Sequence, residues 1–271
     1  MEQQTDLSEE NLLKLGECKF ENHTWGTGNP AILAFPGFMQ TCHTFGKLGP
    51  LLNQEGYPIL SISLPGHGKT VCECSDANSM MDLRHVADRL SRLFTVYNLK
   101  PVHLLAHSFG ARYALAFAIR YPKYVRSVHM IAPGGFCPIE DKLFRIAGRF
   151  PLSGLLKSSL FTKLALKLSS RHLNPYQVRN GIRLLRLIAE VYPVINLYDT
   201  RLMMQIYKVA QPVHVYWGEA DGLVPVKYAH EACQHFPNAQ KHVIPEAGHN
   251  VHITHSKELA ELFLDALDFE N

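Results

Sequence analysis

The stretch Leu104-Leu105-Ala106-His107-Ser108-Phe109-Gly110-Ala111 turns a short, largely apolar run into a helix and leaves a serine at the corner. Residues 102–106 follow Pro101, and their apolar character predicts a strand buried on both faces. Ala111 to Tyr121 is rich in Ala, Leu and Phe at helical spacing and stops before Pro122. Where strand and helix backbones nearly touch, only small side chains fit. Ala106 and Gly110, two residues to either side of Ser108, meet that demand. The pattern is G-x-S-x-G with Ala in the first glycine place. These five residues equally suit a serine that merely caps a helix, so the rest of the chain must decide.

Toward the N-terminus, a short helix is expected over Asp6–Leu15, with Asp6 and Glu9 at capping-box spacing and Gly16 as its stop. Strands follow near 17–25, at Ala31–Phe35 and at Tyr57–Leu64. The last two run into Pro36-Gly37-Phe38 and Pro65-Gly66-His67-Gly68. Helices are expected at Thr44–Gln54 and Met80–Tyr97, the second with Leu83, Val86, Leu90, Leu93 and Phe94 on one face. On the other side come strands at Val125–Ala132, Val213–Trp217 and Lys241–Ile244, and helices near 226–235 and 256–267. Between 134 and 208 the alternation stops in a Leu-rich, basic, apparently all-helical block. This order predicts an α/β fold, a mostly parallel central sheet with helices on both faces. Residues 1–133 and 209–271 form its core, and 134–208 a helical cap insertion.

The chain has 271 residues, 46% hydrophobic and 19% charged, as in an ordinary globular protein. It has no apolar run of membrane-spanning length, and its acidic N-terminus lacks the regions of a signal peptide. Six sparse cysteines predict reduced thiols and a cytoplasmic setting, with Cys72 and Cys74 as two loop thiols. The net charge is +3, yet residues 134–208 hold 12 Lys and Arg against 4 Asp and Glu. Most of these charges suit a solvated face. Lys157, Lys163 and Lys167 interleave with Leu and Phe161, however, which leaves open a contact with anionic lipid or acyl-CoA. Nothing suggests a nucleic-acid partner, and both a monomer and a homodimer remain open.

A serine hydroxyl becomes a nucleophile only when a base takes its proton and a third group orients that base. After the block, Trp217-Gly218-Glu219-Ala220-Asp221-Gly222-Leu223-Val224-Pro225 places Asp221 in a turn beyond a strand. Pro245-Glu246-Ala247-Gly248-His249-Asn250 places His249 beyond the next one. With Ser108, these two belong at the carboxyl edge of the sheet. With these parts in place, the sequence resembles the α/β-hydrolase superfamily, in its cap-bearing branch of small serine hydrolases. The resemblance runs from about residue 30 to the C-terminus.

The resemblance implies Ser108 as nucleophile, His249 as general base and then acid, and Asp221 as its orienting partner, with Glu219 the lesser candidate acid. It implies an oxyanion hole from the backbone N–H groups of Phe38 and Phe109, with Pro36 departing from the family's usual His-Gly-x loop. Leu64-Pro65-Gly66-His67-Gly68 matches a family turn, but Ser63 stands where an Asp is common. Phe45 and Phe136 are expected to line the substrate pocket beside Phe38 and Phe109. His252 and His255 are expected at the surface or as caps rather than as metal ligands, and His107 as a packed neighbour of the corner. The implied reaction is hydrolysis of a carboxylic ester or thioester with an apolar acyl group, through an acyl-serine, without metal or cofactor. The same residues also suit carbon–carbon bond hydrolysis or elimination, acyl transfer, or a binding module without catalysis.

Overall fold

A computed structural model of the chain describes residues 12–73, 82–136 and 205–268. The expected cap at 134–208 therefore lies almost entirely outside the described residues, as do Cys74 and Cys137. Among the described residues, no helix is long and apolar enough to cross a membrane.

Among the described residues, nine strands form one mixed sheet: β1 (Leu12–Leu15), β2 (Cys18–Trp25), β3 (Ile32–Phe35), β4 (Ile59–Ile62), β5 (Val71–Cys72), β6 (Val102–His107), β7 (Val125–Ile131), β8 (Val213–Gly218) and β9 (Ala239–Ile244). Their order is β1-β2-β4-β3-β6-β7-β8-β9, with β5 also pairing β2. From β4 to β9 every pairing is parallel, and only the β2 end is antiparallel. Among the described residues, helices lie in the connections: α1 (Leu48–Gln54), α2 (Leu83–Val96), α3 (Gly110–Arg120) and α4 (Lys227–Gln234). Two more, α5 (Val251–Thr254) and α6 (Ser256–Asp268), follow β9.

Alternation along the strands divides the core in two. On β7, Val128 and Met130 join a layer under α2, α3 and α4, while Ile131 joins Leu48, Leu52, Leu259 and Phe263 under α1 and α6. Helices thus cover both faces, as the continuous burial of β3, β4 and β6 requires.

Two expectations fail at the antiparallel end. Leu12–Leu15 is strand and not the last turn of a helix. Leu13 and Leu15 point inward and Leu12 and Lys14 outward, a period of two rather than 3.6. Gly16, at φ +67°, serves as the turn of a hairpin that pairs Leu15 with Cys18. Cys72 is no loop thiol either. Pairing of β5 with β2 sets it opposite Cys18, 54 residues away in sequence, and the two are joined in a disulfide.

The same end holds Glu21, a carboxylate buried on β2. Its Oε2 accepts from Ser63 Oγ (2.8 Å) and Lys69 N (3.1 Å). Its backbone N–H donates to Thr70 Oγ1 (3.0 Å), which donates onward to Ser63 O (2.7 Å). The acid that the resemblance places at position 63 is supplied from the adjacent strand.

Histidines occupy several buried positions. His103 and His129 share Ser127 Oγ (2.7 Å each), and His129 reaches Tyr216 OH (3.0 Å) beneath Phe263. Burial holds the His129 imidazole well below its ordinary pKa, lowers His67 to about 4 and lowers His252 to about 3. His67 and His252 each have one partnered ring nitrogen and one without a partner, as a neutral ring in its single-donor form allows. In the unfolded chain such rings titrate near ~6.5, so unfolding takes up protons as pH falls below that value. Stability is then complete above about pH 6.5 and drains away as pH falls toward the folded-state values. His67 and His252 alone are expected to remove about 3 kcal/mol between pH 7 and pH 5. Urea unfolding at the two pH values measures this directly, and equal stabilities would contradict it.

Candidate active site

Three loops at the carboxyl edge of the parallel strands bring the site together. At the first, Ser108 sits between β6 and α3 with φ +47°, a strained value for a residue with a Cβ. Backbone bonds hold it there: its N–H donates to Ile131 O (2.9 Å), and its carbonyl accepts from Ala111 N (3.1 Å) and Gly134 N (2.9 Å). A Cβ at Gly110 would lie 2.4 Å from Phe35 O, so only glycine lets the helix start this close to β3.

Asp221 follows β8 and its side chain is fully buried. Its Oδ1 accepts from Leu223 N (2.9 Å) and Val224 N (2.8 Å), which fixes the carboxylate and turns Oδ2 toward His249 Nδ1, 2.8 Å away. The His249 loop is stitched to the Asp221 loop by Glu219 N to Ile244 O and Ala220 N to Ala247 O, both 2.9 Å. His249 Nε2 lies 3.0 Å from Ser108 Oγ. With its Nδ1–H donated to the carboxylate, the ring presents its Nε2 lone pair to the hydroxyl. The structure thus brings Ser108, His249 and Asp221 into one hydrogen-bonded line, while Glu219 is exposed.

Phe109 stands at the start of α3, where no carbonyl of the helix can reach its N–H. Phe38 lies in the loop after β3. The rings of Phe38, Phe109 and His67 form a triangle with centroids 5.8 to 6.2 Å apart. The structure does not bring the other two aromatics to this group. Phe45 is fully buried in the layer under α1 and α6, its ring 5.3 Å from His252. Phe136 is 5% exposed and packs against His235 and Phe236.

His252 is fully buried and not at the surface. The short helix α5 tucks it under the strand edge, where Nε2 meets Thr44 Oγ1 (3.0 Å) and the ring lies 4.3 Å from His107. His107 is the packed neighbour expected of it. Its Nδ1 is 2.8 Å from Gln40 Oε1 and its Nε2 is 3.1 Å from His249 O.

Gln40 is the residue that sequence reasoning missed. Its Oε1 also accepts from Gly37 N (2.9 Å), and its Nε2 donates to Asn250 Oδ1 (3.2 Å). One amide therefore ties the Phe38 loop to the strand before Ser108 and to the residue after His249. It gives shape to a loop that Pro36 makes unlike the usual one. Little local marks it: Gly37 is 3 residues away, but the partners through which it ties the loops together lie 67 and 210 residues away.

The chain is similar to several known proteins. A protein named 2-hydroxy-6-oxo-6-phenylhexa-2,4-dienoate hydrolase, from Burkholderia cepacia, is 25% identical over 97% of this chain and 99% of its own. Monoacylglycerol lipase abhd6-B of Xenopus laevis is 24% identical over 88% of this chain and 75% of its own. Among solved structures, the lip1 protein of Acinetobacter baumannii AYE superposes with a TM-score of 0.73 at 19% identity, covering 96% of this chain and 90% of its own. The profile of the alpha/beta hydrolase family matches residues 32–262, from the start of β3 to within α6. The chain belongs to the alpha/beta hydrolase family.

Proposed function

We propose that this hydrolase cleaves a carboxylic ester or thioester with an apolar acyl group, through an acyl enzyme on Ser108. The observation that carries this is the unbroken line from Asp221 Oδ2 through His249 to Ser108 Oγ, with contacts of 2.8 and 3.0 Å. In the first step His249 Nε2 takes the hydroxyl proton as Ser108 Oγ attacks the carbonyl carbon, and Asp221 stabilises the imidazolium that forms. The oxyanion is met by the N–H groups of Phe38 and Phe109, donors set in place before charge develops. His249 returns its proton to the leaving alcohol or thiol, and water then attacks the acyl-Ser108 by the same route. No step calls on a metal or cofactor. In this reading residues 134–208, almost entirely outside the described residues, are the candidate cap.

The aromatic triangle supports an apolar acyl group. It carries no cation, since burial lowers the pKa of His67 to about 4. A second reading has its own support: the Burkholderia cepacia relative is named for a carbon–carbon bond hydrolase, and the same triad suits that reaction. A chain-length series of p-nitrophenyl esters set beside a 2-hydroxy-6-oxo dienoate separates the two. Turnover that rises from acetate to a medium-chain ester, with the dienoate untouched, is expected. Cleavage of the dienoate in preference to every ester would replace the first reading with the second.

A further inference from the structure

Outside the catalytic line, one grouping among the described residues has ligand atoms of metal-binding type in reach of each other. Glu21 on β2, with Cys42 and His43 from the short 3-10 turn Cys42–Phe45, offers a carboxylate oxygen, a thiol sulfur and an imidazole nitrogen all within 4.8 Å of one another. We propose that Glu21, Cys42 and His43, with His23 beside them, form a binding site for one borderline-soft divalent cation of the zinc class.

The donor set matches that cation, which takes thiolate, imidazole and carboxylate together in a tetrahedron. Zinc–ligand bonds of about 2.0–2.3 Å set tetrahedral ligands about 3.3–3.8 Å apart, so closing the cluster takes side-chain shifts of about 1 Å. The fourth position falls to water or to His23, a neighbour of His43 outside the 4.8 Å grouping. His23 lies two residues from Glu21, on the same face of β2, and its ring stands 4.7 Å from that of His43.

The surroundings are those of a supported site. Ser63 Oγ and Lys69 N both donate to Glu21 Oε2, which orients the carboxylate and leaves Oε1 as the atom a cation would meet. Ser63 Oγ in turn accepts from Cys42 N (2.8 Å), so one hydroxyl positions both anionic ligands, the outer layer that metal sites require. Cys42 and Glu21 are buried, while His43 is exposed and leaves a path from solvent. The same turn continues to Thr44, the partner of His252, so occupancy would stiffen the segment that follows Gln40.

The test uses the full chain stripped by a chelator and then titrated with Zn2+ against a chromophoric competitor, and separately with Co2+. One Zn2+ per chain is expected, together with a thiolate-to-cobalt charge-transfer band and a higher melting temperature on Zn2+ addition. Cys42→Ser loses the band and the thermal shift. His43→Ala, at an exposed position that spares the core, binds at least about tenfold more weakly with an unchanged far-ultraviolet spectrum. Cys233→Ser keeps wild-type behaviour. Either no Zn2+ uptake by the wild-type chain or equal uptake by all four proteins overturns the proposal, the second outcome assigning the metal to other histidines.

Discussion

Ser108→Ala is expected to lower ester turnover by about ten-thousand-fold or more and to abolish labelling by a fluorophosphonate probe. The size follows from the hydrogen-bonded line: without the hydroxyl, His249 has no proton to take and no covalent intermediate forms. What survives is whatever binding and the oxyanion donors contribute unaided. Folding should be untouched, within about 1 kcal/mol, because alanine meets the same positive φ and the corner is held by backbone groups at Ile131, Ala111 and Gly134. Cys42→Ala should label like the wild-type chain, which keeps the buried thiol from being mistaken for the target. Labelling of Ser108→Ala equal to wild type would end the assignment of the nucleophile.

Asp221→Asn should cost about as much, on the order of ten-thousand-fold in turnover, through a different cause. Two backbone N–H groups, Leu223 and Val224, donate to Oδ1. An asparagine must therefore place its carbonyl oxygen there and turn its NH2 toward His249 Nδ1. That amide donates where a carboxylate accepted, so the ring must carry its proton on Nε2, facing Ser108 Oγ, in the wrong tautomer for a base. The loop should keep its shape, and melting temperature should change little. Glu219→Gln, at an exposed position, should leave turnover near wild type. A loss below tenfold for Asp221→Asn, or a large one for Glu219→Gln, would contradict the assignment of the acid. Turnover and probe labelling measured on the same preparations decide both points.

The parallel part of the sheet and the catalytic line were legible in the sequence because each rests on short-range signals. Continuous apolar runs marked β3, β4, β6 and β8, and punctuation by Pro and Gly marked where Ser108, Asp221 and His249 leave them. What stayed hidden depends on pairing across the chain. Leu12–Leu15 carries too few residues to separate a period of two from one of 3.6, so its pairing with β2 had to be seen. The Cys18–Cys72 bond and the reach of Gln40 are likewise facts of register and loop placement. Phe45 illustrates a further limit: an aromatic close in sequence to a candidate catalytic loop can be a filler of the opposite layer, whereas Phe136 shares the layer of Phe109. Buried His252 went unrecognised because a histidine in a short polar segment gives no hint of the helix that tucks it inward.

The place of Glu21 bears on how chains of this family can be compared. Aligned residue against residue, Ser63 registers as the loss of an acid. Measured in space, a carboxylate stands one strand away, on β2, and receives Ser63 Oγ and Lys69 N. The two addresses are mutually exclusive, since a second carboxylate at 63 would face the first across a single hydrogen bond and neither at all would strand a buried donor. In this chain positions 21 and 63 are thus coupled through one buried hydrogen bond, and substitutions there should be judged as pairs.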